Sequence, residues 1–127
     1  MSYSLKGTLR AGLAVGGAFL LFAALPASSY AANGDFQYLR ADSSQQDVIS
    51  DPPNESCRTI SGGAINATNR TNAVATVYKN ASCTLANRIK VLNPNGGMWD
   101  SGSTLVVAQR VCFTATPPPT SPQSPCQ

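Results

Sequence analysis

The chain has 127 residues, 43% of them hydrophobic, a formal net charge of +3 and no histidine. Without an imidazole, Ser-His-Asp and Cys-His catalysis and every histidine-bearing metal site are excluded. So small a surplus of positive charge gives little field with which to recruit nucleic acid, and no nucleic-acid partner is expected.

Reading from the amino end, Lys6 and Arg10 precede an apolar run from Ala11 to Leu25, and Pro26 breaks that run ahead of Ser29-Tyr30-Ala31. Charged n-region, apolar h-region and small-residue exit make residues 1–31 a secretory signal peptide, with the cut expected after Ala31. The run is shorter than the roughly 20 residues that span a bilayer, and no cysteine lies near the cut to carry a lipid. Export into the extracellular space, with no membrane partner after cleavage, is therefore expected, with the cell wall as a further location. Of nine basic residues, Lys6 and Arg10 leave with the signal, so seven face six acids and the mature chain carries +1.

Residues 32–56 carry Asp, Ser, Gln, Asn and Pro52-Pro53, with Phe36, Tyr38, Leu39 and Val48-Ile49 as the apolar exceptions. The expectation is a mostly irregular acidic arm holding at most one short strand or helical turn.

Residues 57–115 form the expected β domain, where the hydrophobic period is two. Val74, Thr76 and Tyr78 alternate with Ala75, Val77 and Lys79, and Ile89, Val91 and Asn93 with Lys90 and Leu92. The stretch Arg58 to Asn66 is a weaker strand, interrupted by Gly62-Gly63 at an expected bulge. Thr104 to Thr114 is apolar on both faces, as a strand buried between two layers would be. Turn residues fall between the strands at Asn69 to Asn72, Asn80 to Ser82, Asn93 to Gly97 and Ser101-Gly102. Residues 116–127, TPPPTSPQSPCQ, lack the N–H groups for a ladder and are expected to form a surface strap or a free tail.

Four cysteines, Cys57, Cys83, Cys112 and Cys126, all lie past the signal. An even count in a short exported chain implies two disulfides, and three connectivities are possible. We expect Cys57 with Cys83 and Cys112 with Cys126, since a cysteine at the end of a proline-rich tail most simply ties that tail to the strand it has just left. No C-x-x-C pair is present, so no metal and no cofactor are expected. A mature chain under 100 residues buries a modest core, and two bridges would supply much of its net stability.

Together these elements predict an all-β fold, a small disulfide-bridged Greek-key sandwich or barrel of about five or six strands, monomeric. The segment from Cys57 through Gly62-Gly63, Asn69-Arg70-Thr71, Val77-Tyr78, Cys83 and Pro94 to Gly97 resembles small exported bacterial β proteins, several described as βγ-crystallin-like and some as peptidase inhibitors. The resemblance implies a fold and nothing about a site. It implies no calcium site, since Tyr78 is followed by Cys83 and Leu85 where the crystallin pattern has an aromatic and a glycine, and the paired acids and Ser-Ser are missing.

A glycosidase needs two carboxylates across a sugar, and the region after Cys57 holds only Asp100. No phosphate-cradling glycine motif occurs. An enzyme is not expected. The candidate binding residues are Met98, Trp99 and Asp100, set between glycine turns at Gly96-Gly97 and Gly102, where an exposed indole on a loop would anchor a glycan or protein partner. The competing reading places Trp99 in the core as a plug. Four Asn-x-Ser/Thr triplets begin at Asn54, Asn66, Asn69 and Asn80 and read mainly as turn asparagines beside strand threonines. The expected function is that of a secreted, non-enzymatic binding protein, with peptidase inhibition as its leading form, through residues 93–102 or the strap after Thr116. The alternative is a structural or envelope-associated protein.

Overall fold

The computed structural model describes residues 31–121 and 124–127. All of the expected signal peptide except Ala31 lies outside the described residues.

The fold is all-β and antiparallel. It has seven strands: β1 (Gly34–Arg40), β2 (Gln46–Ser50), β3 (Arg58–Thr71), β4 (Val74–Tyr78), β5 (Arg88–Leu92), β6 (Gly97–Asp100) and β7 (Ala108–Thr114). The order is β2-β1-β3-β7-β4-β5, with β6 paired to β3, so β7 returns beside β4 while β5 and β6 share no ladder.

Seven strands replace the expected five or six because residues 32–56 are not irregular. Phe36 and Tyr38 alternate with Asp35 and Gln37, burying one face of β1 against the core. β2 then pairs back from Asp35↔Ser50 to Leu39↔Gln46. The connection is clamped by Arg40, which donates to Asp42 and Asp47 at 3.0 Å each, while the Tyr38 hydroxyl donates to Asp47 Oδ2 and to the Ser61 carbonyl. The guanidinium holds the Asp42 carboxyl down at about 2. The Val48 amide and Arg40 lower that of Asp47, and burial raises the Tyr38 phenol. These groups tie the hairpin end to β3 at its bulge.

β3 organises the molecule. Thr68 pairs with both Gln37 and Met98, and Ala64 with both Arg40 and Ala108. One edge of β3 therefore belongs to β1, and the other carries β7 and β6 end to end. At Gly62 and Gly63, with φ of 77° and 69°, the strand kinks through the bulge expected from the sequence. A side chain at Gly63 would bring its Cβ within 2.5 Å of Val107 Cγ1. The kink folds the sheet over on itself. Phe36 of β1 and Phe113 of β7, on opposite sides of β3 in the ladder, meet edge to face with ring centroids 5.5 Å apart. The core between the two halves holds Phe36, Tyr38, Ile60, Ala67 and Trp99 facing Val77, Leu92, Val111 and Phe113.

β7 is buried on both faces over 111–114, as its sequence pattern implies, but it starts at Ala108. Residues 101–107 instead loop out between β6 and β7, braced by the Ser101 amide on the Ile65 carbonyl (2.9 Å), with Leu105 left-handed (φ 56°) and 81% exposed. The second face of β4 and β7 meets a separate cluster of Tyr78, Cys83, Cys112 and Cys126, with Cys57 packed against it. Cys57 bridges Cys83 and Cys112 bridges Cys126, with Cα separations of 5.8 and 6.1 Å, the pairing expected from the tail geometry. The tail is a strap: the Gln127 amide donates to the Cys83 carbonyl, and its own carbonyl accepts from the Tyr78 hydroxyl and from Arg88 Nε.

At the far end of β3 the turn into β4 and the turn 93–96 are pinned by a single side chain. Asn69, fully buried, donates through Nδ2 to the carbonyls of Ala73 (2.8 Å), Leu92 (3.2 Å) and Asn93 (3.1 Å), and its Oδ1 accepts from the Thr71 amide and hydroxyl. Gly97 lies so close to Asn93 that a Cβ there would sit 2.5 Å from the Asn93 nitrogen. The expected turn at Asn69 to Asn72 is thus shorter than read, since β3 runs on to Thr71.

Candidate binding groove

Met98, Trp99 and Asp100 belong to β6, a strand and not a loop. Pairing Ala67↔Trp99 turns the indole inward with Ala67, and Trp99 is 9% exposed within the main core. Of the two readings of Trp99, the core plug holds and the indole displayed on a mobile loop is corrected: few large residues are available to fill a core this small, and the strand period directs this one into it. The same alternation sends Met98 and Asp100 outward, and Met98 is 68% exposed.

These residues line a groove of about 370 Å³ together with Asn66, Ala67, Thr68 and Lys90. Asn66 and Thr68 are brought to it by their pairing with Asp100 and Met98. Lys90 reaches it from β5, across the turn that joins β5 to β6. Neither charge has an ion-pair partner among the described residues, where Arg40 makes the two salt bridges. One Asp100 oxygen accepts from the Gly102 amide at 2.7 Å, which fixes the carboxylate at the strand end. The groove thus offers one cation, one anion, an amide, a hydroxyl and an exposed thioether over an apolar floor. Such a set can hydrogen-bond and desolvate a ligand.

Sequence reasoning named the β6 residues and missed Lys90, Asn66 and Thr68. Alternation along each strand marks which residues share a face, but the register that brings three strands together is not written in any one of them. Of the other candidate segments, residues 93–96 are pinned at the turn and the strap after Thr116 is tied down at Cys126, with Pro118 buried between. Among the described residues there is no group of three or more His, Cys, Asp or Glu side chains that could hold a metal ion, and no helix is long and apolar enough to cross a membrane.

Comparison of the chain with protein-family models, with curated proteins and with solved structures gave no match.

Proposed function

We propose that this chain is an exported binding module that engages another macromolecule outside the cell, with an extracellular peptidase as the leading partner class. The observation that carries the reading is the groove beside β6, where Met98 stands 68% exposed between the unpaired charges of Lys90 and Asp100 on a scaffold closed by two disulfides. Disulfides persist in oxidising compartments, which accords with export. An apolar side chain ringed by polar groups is the usual composition of a protein-binding centre, and a bridged sheet resists the peptidases such a protein would meet. The groove has no outward aromatic ring on which a sugar face could stack, which favours protein over glycan.

The test is a titration of the protein recovered from culture medium against serine, cysteine and metallo-peptidases of extracellular origin. Stoichiometric inhibition of one class, weakened by Met98→Ala, is the expected result. Absence of inhibition across the set, with the protein retained in the wall fraction, would replace this reading by a structural role in the envelope.

A further inference from the structure

We propose that the outer edge of β6 is a docking site for an extended peptide segment of the partner, which adds to the sheet as an extra strand. The inference rests on the binding reading above and names where and how the partner is held.

β6 is bonded along one edge only. It pairs with β3, while β5, which precedes it in the chain, pairs with β4 and shares no ladder with β6. The two strands leave the pinned turn 93–96 and enter opposite halves of the folded sheet, so an unfilled seam opens between them. The groove runs from Asn66, Ala67 and Thr68 of β3 over β6 to Lys90 of β5, and so reaches across that seam.

The free backbone groups follow from the ladder. In an antiparallel pair, directly bonded positions alternate with positions whose amide and carbonyl point to the other edge. Ser101 donates to Ile65, so position 101 is bonded and, stepping by two, so is Trp99. The amides and carbonyls of Met98 and Asp100 therefore face the seam. They stand two residues apart, the spacing an incoming strand matches.

Edge strands are usually guarded by proline, bulges or charge. β2, the other edge of this half of the sheet, is followed by Pro52-Pro53, and its Asp47 is already held by Arg40. β6, Gly-Met-Trp-Asp, has neither proline nor bulge, and its one charge, Asp100, stands at the end of the strand. The charges on the seam fix what kind of strand would fit. Lys90 stands on the β5 side and Asp100 on the β6 side, so the complementary segment is extended, free of proline, and carries an acidic and a basic residue on either side of an apolar one that meets Met98.

The probe is a capped peptide, Thr-Lys-Thr-Val-Thr-Glu-Thr, whose Lys, Val and Glu share one face when extended, added to the bridged secreted protein, with backbone amide shifts followed by NMR. Shifts concentrated at residues 97–100 and 88–90 are expected. Met98→Pro deletes an outward amide without touching the β3 ladder, and it is expected to weaken peptide binding about fivefold beyond Met98→Ala, which removes the same thioether and keeps the amide, while leaving the melting temperature near that of the parent. Asp100→Lys should lose the peptide and regain a version whose lysine is replaced by glutamate. Shifts spread elsewhere or absent at millimolar peptide, or Met98→Pro binding as Met98→Ala does, overturn the proposal. The two readings separate in the peptidase titration: inhibition unchanged in Met98→Pro and Asp100→Lys removes the seam as the site and leaves the binding function standing, whereas no inhibition by the parent removes that function.

Discussion

Replacing Asn69 by alanine is the substitution for which the structure makes the strongest demand. Its amide reaches three backbone carbonyls from two turns, and its oxygen takes the Thr71 amide and hydroxyl, with Asn69 and Thr71 both fully buried. Ala73 O keeps a second donor in the Thr71 hydroxyl, Asn93 O keeps the Gly97 amide and Leu92 stays in the ladder opposite Ala75, so the group left worst served is the Thr71 amide. A buried orphan costs about 1 to 3 kcal/mol, and the cavity left by the side chain adds to it, so we expect a loss of about 3 to 4 kcal/mol. That is a large share of the roughly 5 to 15 kcal/mol available to a domain of this size. Urea unfolding with both bridges intact measures it, with the slope expected to stay constant and the midpoint to fall. Asn66→Ala, on the same strand but partly exposed, serves as the control and should change stability by about 0.5 kcal/mol or less. A loss below about 1 kcal/mol for Asn69→Ala would show that the two turns hold without this side chain, and the reasoning about it would fail.

Removing either bridge as a serine pair should cost about 3 kcal/mol by loop closure, for separations of 26 and 14 residues, and a melt unchanged by strong reductant would contradict this. Asp42, held at about 2 by Arg40, and Asp47, also lowered, contribute stability that is complete above their ordinary value of 3.8 and is lost as pH falls through the folded value; Asp42→Asn should flatten acid unfolding between pH 4 and 2, and identical curves would count against the clamp. Trp99 emission should be blue-shifted and poorly quenched by iodide, whereas emission like that of free tryptophan would place the ring outside the core. In a eukaryotic secretory host the exposed Asn80 should accept a glycan and the buried Asn69 should not, as glycopeptide mapping would report.

The regular part of the fold was legible where one strand carries its own evidence. β4 and β5 show alternation, and Gly62-Gly63 announced the kink that folds the sheet over. β1 carries the same alternation in Phe36 and Tyr38, but the polar residues around it and the weak pattern of β2, where Val48 is 47% exposed, hid the hairpin. What escaped is what depends on contacts distant in sequence. Asn69 reads as a turn residue because its partners Leu92 and Asn93 lie more than twenty positions away. The glycines around Trp99 suggested a loop, yet Gly97 serves close packing against Asn93 and the indole fills the core. Lys90 gave no signal of its own, since it matters only through the divergence of β5 from β6.

The measurement closest to the heart of the account is mass spectrometry of the protein recovered from the culture medium, intact and after digestion without reduction. An amino terminus at Ala32 and linked peptides joining Cys57 to Cys83 and Cys112 to Cys126 are the predicted result. An uncut leader, or free thiols at these four positions, would contradict it.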